Sequence, residues 1–108
     1  MVKNFLVKKG DQLSFTITFT SSLPISNIEW GIKKEYTDEV YTILKTLNNG
    51  ISKVSDYVYQ FTLTPDETNS LDYFNYPYDI RITVGNTVKT PLSGKLFIKE
   101  TVFEVVNG

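Results

Sequence analysis

Apolar and polar residues alternate with a period of two along three stretches of this chain. In the first, Leu13, Phe15, Ile17 and Phe19 fall on one side and Ser14, Thr16, Thr18 and Thr20 on the other. Successive side chains of a strand point to opposite faces, so this spacing predicts a strand with one face in a core and one in water. The second stretch sets Tyr57, Tyr59, Phe61 and Leu63 against Val58, Gln60, Thr62 and Thr64; the third sets Tyr78, Ile80, Ile82 and Val84 against Asp79, Arg81 and Thr83. A fourth strand is predicted where Ile28, Trp30 and Ile32 alternate with Glu29, Gly31 and Lys33. Its Trp30, in phase with two isoleucines, is assigned to the centre of the core. Residues 40–44 and 96–98 are mixed or apolar on both faces, and Phe5–Lys8 is expected as a short first edge strand paired with one of them.

Turn residues separate these runs at the spacing a sandwich needs: Lys9-Gly10-Asp11, Leu23-Pro24, Asn48-Asn49-Gly50, Thr64-Pro65-Asp66, Gly85-Asn86 and Ser93-Gly94. Gly85-Asn86 reads as a two-residue hairpin in which the glycine supplies positive φ. One helical turn is predicted near residues 65–71, because Thr64 can cap it, Pro65 suits the first helical position and Glu67 completes a capping box. The expectation is one all-β domain over residues 1–108, an antiparallel β-sandwich of seven or eight strands. Only the tail at 100–108 is expected to hang loose, although Val102, Phe103, Val105 and Val106 imply that it packs or pairs with something.

Composition supports a packed fold, since 41% of residues are apolar and 21% charged, far from the signature of disorder. Eleven basic against twelve acidic residues leave a net charge of -1, too weak a field to gather nucleic acid or anionic membrane, and neither is expected as a partner. The N-terminal apolar run, Phe5-Leu6-Val7, is far too short for a signal sequence, so secretion by the usual route is not expected.

The chemistry on offer is sparse. With no His and no Cys, the usual general base at neutral pH and the usual zinc ligands are missing, and the fold can use no disulfide. Asp38-Glu39 and Asp66-Glu67 are the densest carboxylate pairs, but neighbours in an exposed loop stay ionised and do not make an acid–base couple. Asp66, Glu67 and Asp72 lack the ladder of a calcium loop, and the glycines are too scattered to cradle a phosphate. No enzyme activity, metal or cofactor is expected.

Aromatic side chains are the unusual feature. Tyr73, Phe74, Tyr76 and Tyr78 cluster before and into the penultimate strand. Tyr76 and Tyr78 read as structural, in the manner of the tyrosine that anchors the corner of Greek-key sandwiches. Tyr73 and Phe74 read equally well as packing or as a platform for a partner's side chains or a sugar ring. Tyr36 and Tyr41 flank the polar turn Thr37-Asp38-Glu39 and are placed at a hairpin tip. Tyr36, Tyr41, Tyr73 and Phe74 are therefore the candidate partner contacts, with cell-wall glycan as the alternative ligand and a surface-protein spacer as a further reading.

Several segments in order resemble the N-terminal domain of phage baseplate upper proteins, from tailed phages and prophages of Gram-positive bacteria. They are Val7-Lys8-Lys9-Gly10-Asp11 before an alternating Phe-rich strand; Glu29-Trp30-Gly31-Ile32-Lys33-Lys34; and Leu44-Lys45-Thr46-Leu47-Asn48-Asn49-Gly50-Ile51. Next come the stretch from Tyr59 through Leu63-Thr64-Pro65-Asp66-Glu67-Thr68 to Leu71, and Tyr76-Pro77-Tyr78-Asp79-Ile80-Arg81-Ile82. The likeness spans residues 3–101, with Phe74-Asn75 where the family usually has a glycine. The resemblance implies an immunoglobulin-like sandwich that docks the receptor-binding apparatus of a virion to its tail hub. It further implies other tail and baseplate proteins, or copies of itself, as partners, and a virion location after synthesis in the host cytoplasm.

Overall fold

The structure is a computed structural model that describes residues 1–20, 23–72 and 74–100. Tyr73 and most of the expected loose tail lie outside the described residues. The chain forms β1 (Phe5–Lys8), β2 (Leu13–Thr18), β3 (Ile25–Ile32), β4 (Ile43–Leu47), β5 (Gly50–Ser55) and β6 (Val58–Leu63). A short α1 (Pro65–Asn69), β7 (Asn75–Val84) and β8 (Thr87–Lys99) follow. The strands hydrogen-bond in the order β1-β8-β7-β3-β4-β5-β6-β2. That sheet folds over at β4 and β5, so β1, β8, β7 and β3 form one layer and β5, β6 and β2 the other. The two ends of the order meet face to face, with Phe5 of β1 stacked on Phe15 of β2 at 4.1 Å.

The period-2 faces close onto one another as their spacing requires. Ile28, Trp30 and Ile32 from β3, Tyr59, Phe61 and Leu63 from β6, and Tyr78, Ile80 and Ile82 from β7 are all buried. Trp30 is fully enclosed, its ring edge-on to Phe15 at 5.2 Å, Phe61 at 5.9 Å and Tyr78 at 6.3 Å. In antibody domains a disulfide joins the second and penultimate strands beside a buried Trp. Here Phe15 and Tyr78, on those two strands, flank Trp30 with rings, and a chain without cysteine closes its core by aromatic packing.

Local chemistry fixes the corners. Thr64 caps α1 by accepting from Glu67 N at 3.2 Å, and Glu67 Oε1 accepts from Thr64 N at 2.9 Å, which completes the predicted capping box behind Pro65. The fully buried Thr68 hydroxyl donates to Asp11 O and accepts from Gly10 N, tying α1 to the β1–β2 turn. Tyr76 is buried and its hydroxyl accepts from Asp72 N at 3.0 Å, a tyrosine corner at the entry to β7. Gly85, at φ 60, turns the hairpin between β7 and β8.

Three expectations need correction. Ser93-Gly94 is no turn: both residues lie inside β8, a strand of 13 residues. Glycine stands there because the N-terminal segment crosses directly over it, and a Cβ at that position would overlap the Lys3 carbonyl. The strand expected at 40–44 begins instead at Ile43, and Val40 is exposed in the preceding loop. The pairing is antiparallel except at two places, β1 with β8 and β4 with β5. The first joins the two ends of the described chain, so all the intervening strands serve as the long crossover that parallel neighbours need. The second is a tight bend through Asn48, at φ 69, and Gly50, at φ 92, that hands the chain from one layer to the other.

Candidate interaction face

In the larger layer, the residues that alternate with the core set point outward. Leu6 of β1 lies opposite Phe97 of β8, and Phe97 lies opposite Asn75 of β7, so the register carries one row across three strands. Phe74 meets the Phe97 ring edge-on at 5.9 Å. The next row holds Lys95 opposite Pro77, with Tyr36 alongside across a shallow depression of about 220 Å³. One row further, Gly31 of β3 lies between Asp79 and Leu44, and the Tyr41 ring occupies the space above Gly31 where a side chain would stand. Leu6, Tyr36, Phe74, Tyr41 and Leu44 are 58, 62, 66, 42 and 38% exposed, so this strip of apolar surface faces solvent. Isolated exposed apolar residues are ordinary, whereas a contiguous strip rimmed by charge marks a contact surface. The rim is Lys8 and Lys99 on one side and Lys95, Asp79 and the Arg81–Glu29 pair, 3.7 Å apart, on the other.

Three of the four candidate contacts thus come to one face, Tyr36, Tyr41 and Phe74, while Tyr73 lies outside the described residues. The two loop tyrosines differ in kind. Tyr36 projects from the turn closed by Asp38 N donating to Glu35 O at 3.1 Å. Tyr41 lies on the sheet, with Lys33 Nζ 5.0 Å from its ring centroid, and is not at a hairpin tip. Lys33 Nζ also donates to Asp38 O at 2.7 Å, which ties the loop down. Leu6, Phe97 and Leu44, which share this face, were not among the candidate contacts read from the sequence. For Leu44 and Phe97 the signal was present in segments apolar on both faces, which put an apolar residue on the outward side of the strand.

Two of the acidic groups singled out in the sequence are engaged away from this face. Glu67 pairs with Lys45, a lysine buried on the inward side of β4, and Asp72 lies 3.6 Å from Lys9. Burial pushes the Glu67 carboxyl up, but hydrogen bonds and charge from Lys45, with the Thr64 N–H and hydroxyl, outweigh it and hold the group below its ordinary value. Among the described residues no three potential ligands gather for a metal. Tyr78 is pushed up to about 12 by burial and by the neighbouring Asp79 charge, so its hydroxyl stays a donor, and it donates to Lys3 O.

No family model matches the sequence, and no curated protein matches it. Solved structures do. The extracellular domain of the voltage-gated sodium channel beta4 subunit, solved as parallel homodimers that explain its role in cell-cell adhesion, superposes with a TM-score of 0.56 at 11% identity. That match covers 94% of this chain and 93% of the other. A chain of the ZIG-8–RIG-5 IG1–IG1 heterodimer superposes with a TM-score of 0.50 at 11% identity, over 94% of this chain and 83% of the other. With its Trp30 core, its tyrosine corner and these likenesses, the chain is an immunoglobulin-like β-sandwich.

Proposed function

We propose that this domain is a non-catalytic assembly module whose apolar outer face binds another protein, and that the partner is a tail or baseplate protein of a phage or prophage. The observation that carries the contact is the strip from Leu6 and Phe97 through Tyr36 to Tyr41 and Leu44, with aromatic residues at its centre and lysines at its rim. Interfaces concentrate binding energy in such aromatic centres and leave charge to the rim. Two structural neighbours pair through domains of the same fold, which supports a protein partner. The identity of the partner rests on the ordered sequence resemblance from Val7 to Ile82. On this reading the domain is made in the host cytoplasm and carried in the virion, where it docks receptor-binding apparatus to the tail hub.

Binding to candidate tail proteins encoded beside this gene, measured by surface plasmon resonance, tests the proposal. The wild-type domain is expected to bind one of them, and Tyr36→Ala with Phe74→Ala is expected to weaken binding by roughly tenfold or more with an unchanged circular dichroism spectrum. Binding to none of them, or binding indifferent to both substitutions, overturns it. Capture of cell-wall glycan in place of protein, lost on Phe74→Ala, would reassign the face to carbohydrate.

A further inference from the structure

The strand order ends at β2, whose second edge has no strand beside it among the described residues. Proteins guard such edges with charge, proline, a bulge or shortness, because an open row of N–H and C=O groups is a template for another strand. The opposite edge, β1, is guarded: it has four residues and carries Lys8, with Lys9 following. β2 is not. From Leu13 to Thr20 there is no charged residue, no proline and no glycine, and its register with β6 runs without a shift.

The phase of the free edge follows from one bond. Phe19 N donates to Tyr57 O, so the odd-numbered residues of this run direct their backbone groups at β6. Ser14, Thr16 and Thr18 therefore direct theirs outward. Beside the edge lies a groove of about 420 Å³ lined by Ile17, Phe19 and Leu92 and, from the N-terminal segment, Met1 and Lys3. The N-terminal segment pairs with β8, through Lys3 N to Ser93 O at 2.8 Å, and not with β2.

We propose that this edge is a self-association site, at which β2 pairs antiparallel with β2 of a second copy about a two-fold axis at Thr16. A strand that pairs with itself must be self-complementary. With Thr16 at the axis, Ser14 meets Thr18 and Gln12 meets Thr20, so each hydroxyl faces a hydroxyl or an amide and no like charges meet. This edge belongs to the other layer, so the contact is independent of the face proposed above.

The chain has no cysteine, so a single introduced thiol reports the register. Across a hydrogen-bonded antiparallel pair the Cα atoms are about 5.5 Å apart, within the roughly 4.4–6.8 Å that a disulfide spans. Under mild oxidation Thr16→Cys is expected to cross-link into a covalent dimer, while Val54→Cys, exposed on β5, is not. Light scattering over a concentration series is expected to show a reversible dimer, and Thr16→Lys to weaken it by about tenfold or more, with an unchanged thermal midpoint of the monomer. A strict monomer without Thr16→Cys cross-linking overturns the proposal. So does a dimer indifferent to Thr16→Lys. If removing residues 101–108 converts a monomer into a cross-linking dimer, the chain's own C-terminal segment holds the edge and the proposal is likewise wrong.

Discussion

Two polar side chains hold this fold at points where apolar packing alone would leave groups unpaired. The Tyr78 hydroxyl ties the N-terminal segment to β7 by donating to Lys3 O. Tyr78→Phe keeps the ring and strands that carbonyl, so it is expected to cost about 1–2 kcal/mol in urea unfolding at pH 7. Because its folded value lies above the unfolded value near 10, this contribution is complete below pH 10 and is lost as pH rises through about 12. The wild-type protein should therefore lose stability over that window more than Tyr78→Phe does. Glu67 works with the opposite sign. Its folded value is depressed, so its contribution is present above the ordinary 4.5 and is lost as pH falls through the folded value. Glu67→Gln breaks the pair with the buried Lys45 and weakens the cap of α1. Breaking a fully buried pair costs about 3–5 kcal/mol; the Glu67 side chain keeps 26% exposure, so about 1–3 kcal/mol is expected. Denaturation curves over a descending pH series should converge for wild type and variant as pH falls below the folded value. Trp30→Ala empties the core centre and should cost about 3–5 kcal/mol. Trp30→Phe should cost less, partly because the indole N–H it removes is buried without an acceptor among the described residues.

At the scale of elements, the decisive joints are those where backbone meets backbone. β8 is long enough to pair with β7 on one side and with β1 and the N-terminal segment on the other, and Gly94 is where that second pairing comes closest. Gly94→Ala places a methyl group against the Lys3 carbonyl and must push the segment away. The expected result is a loss of about 2 kcal/mol or more, together with faster hydrogen exchange at Lys3 N, which the displacement uncouples from Ser93 O. Gly31→Ala is a contrasting case. Its new methyl meets only the partly exposed Tyr41 ring, which can swing aside, so stability should hold while the outer face changes shape.

At the scale of the whole molecule, the two layers are joined through one continuous hydrogen-bonded sheet and no covalent cross-link. Thermal unfolding should therefore be indifferent to reductant, unlike that of an antibody domain whose layers share a disulfide. The pairings of β1 with β8, β2 with β6 and β3 with β7 join segments distant in sequence, and topologies that depend on such pairings fold in roughly milliseconds to seconds. Stopped-flow refolding followed by the single Trp30 should report closure of the core on that scale. Cohesion and contact are also divided at this scale: rings close the interior, and the surfaces proposed for partners are the outer strip and the β2 edge.

What the sequence determined by itself was the class of fold and the content of its core. Alternation of apolar and polar side chains is a local property, so β2, β3, β6 and β7, the capped turn at Thr64 and the hairpin at Gly85 could all be read along the chain. Trp30 was placed in the interior by phase alone. Only the tertiary structure decided which glycine turns the chain and which one admits a neighbour. Gly85 and Gly94 look alike in sequence, yet Gly94 sits inside β8 because a segment some ninety residues away passes over it. The strip was hidden for the same reason, since Leu6, Phe97, Tyr36 and Tyr41 come together only through the register of distant strands. Strand periodicity states which side a residue faces, and strand order states what lies beside it there.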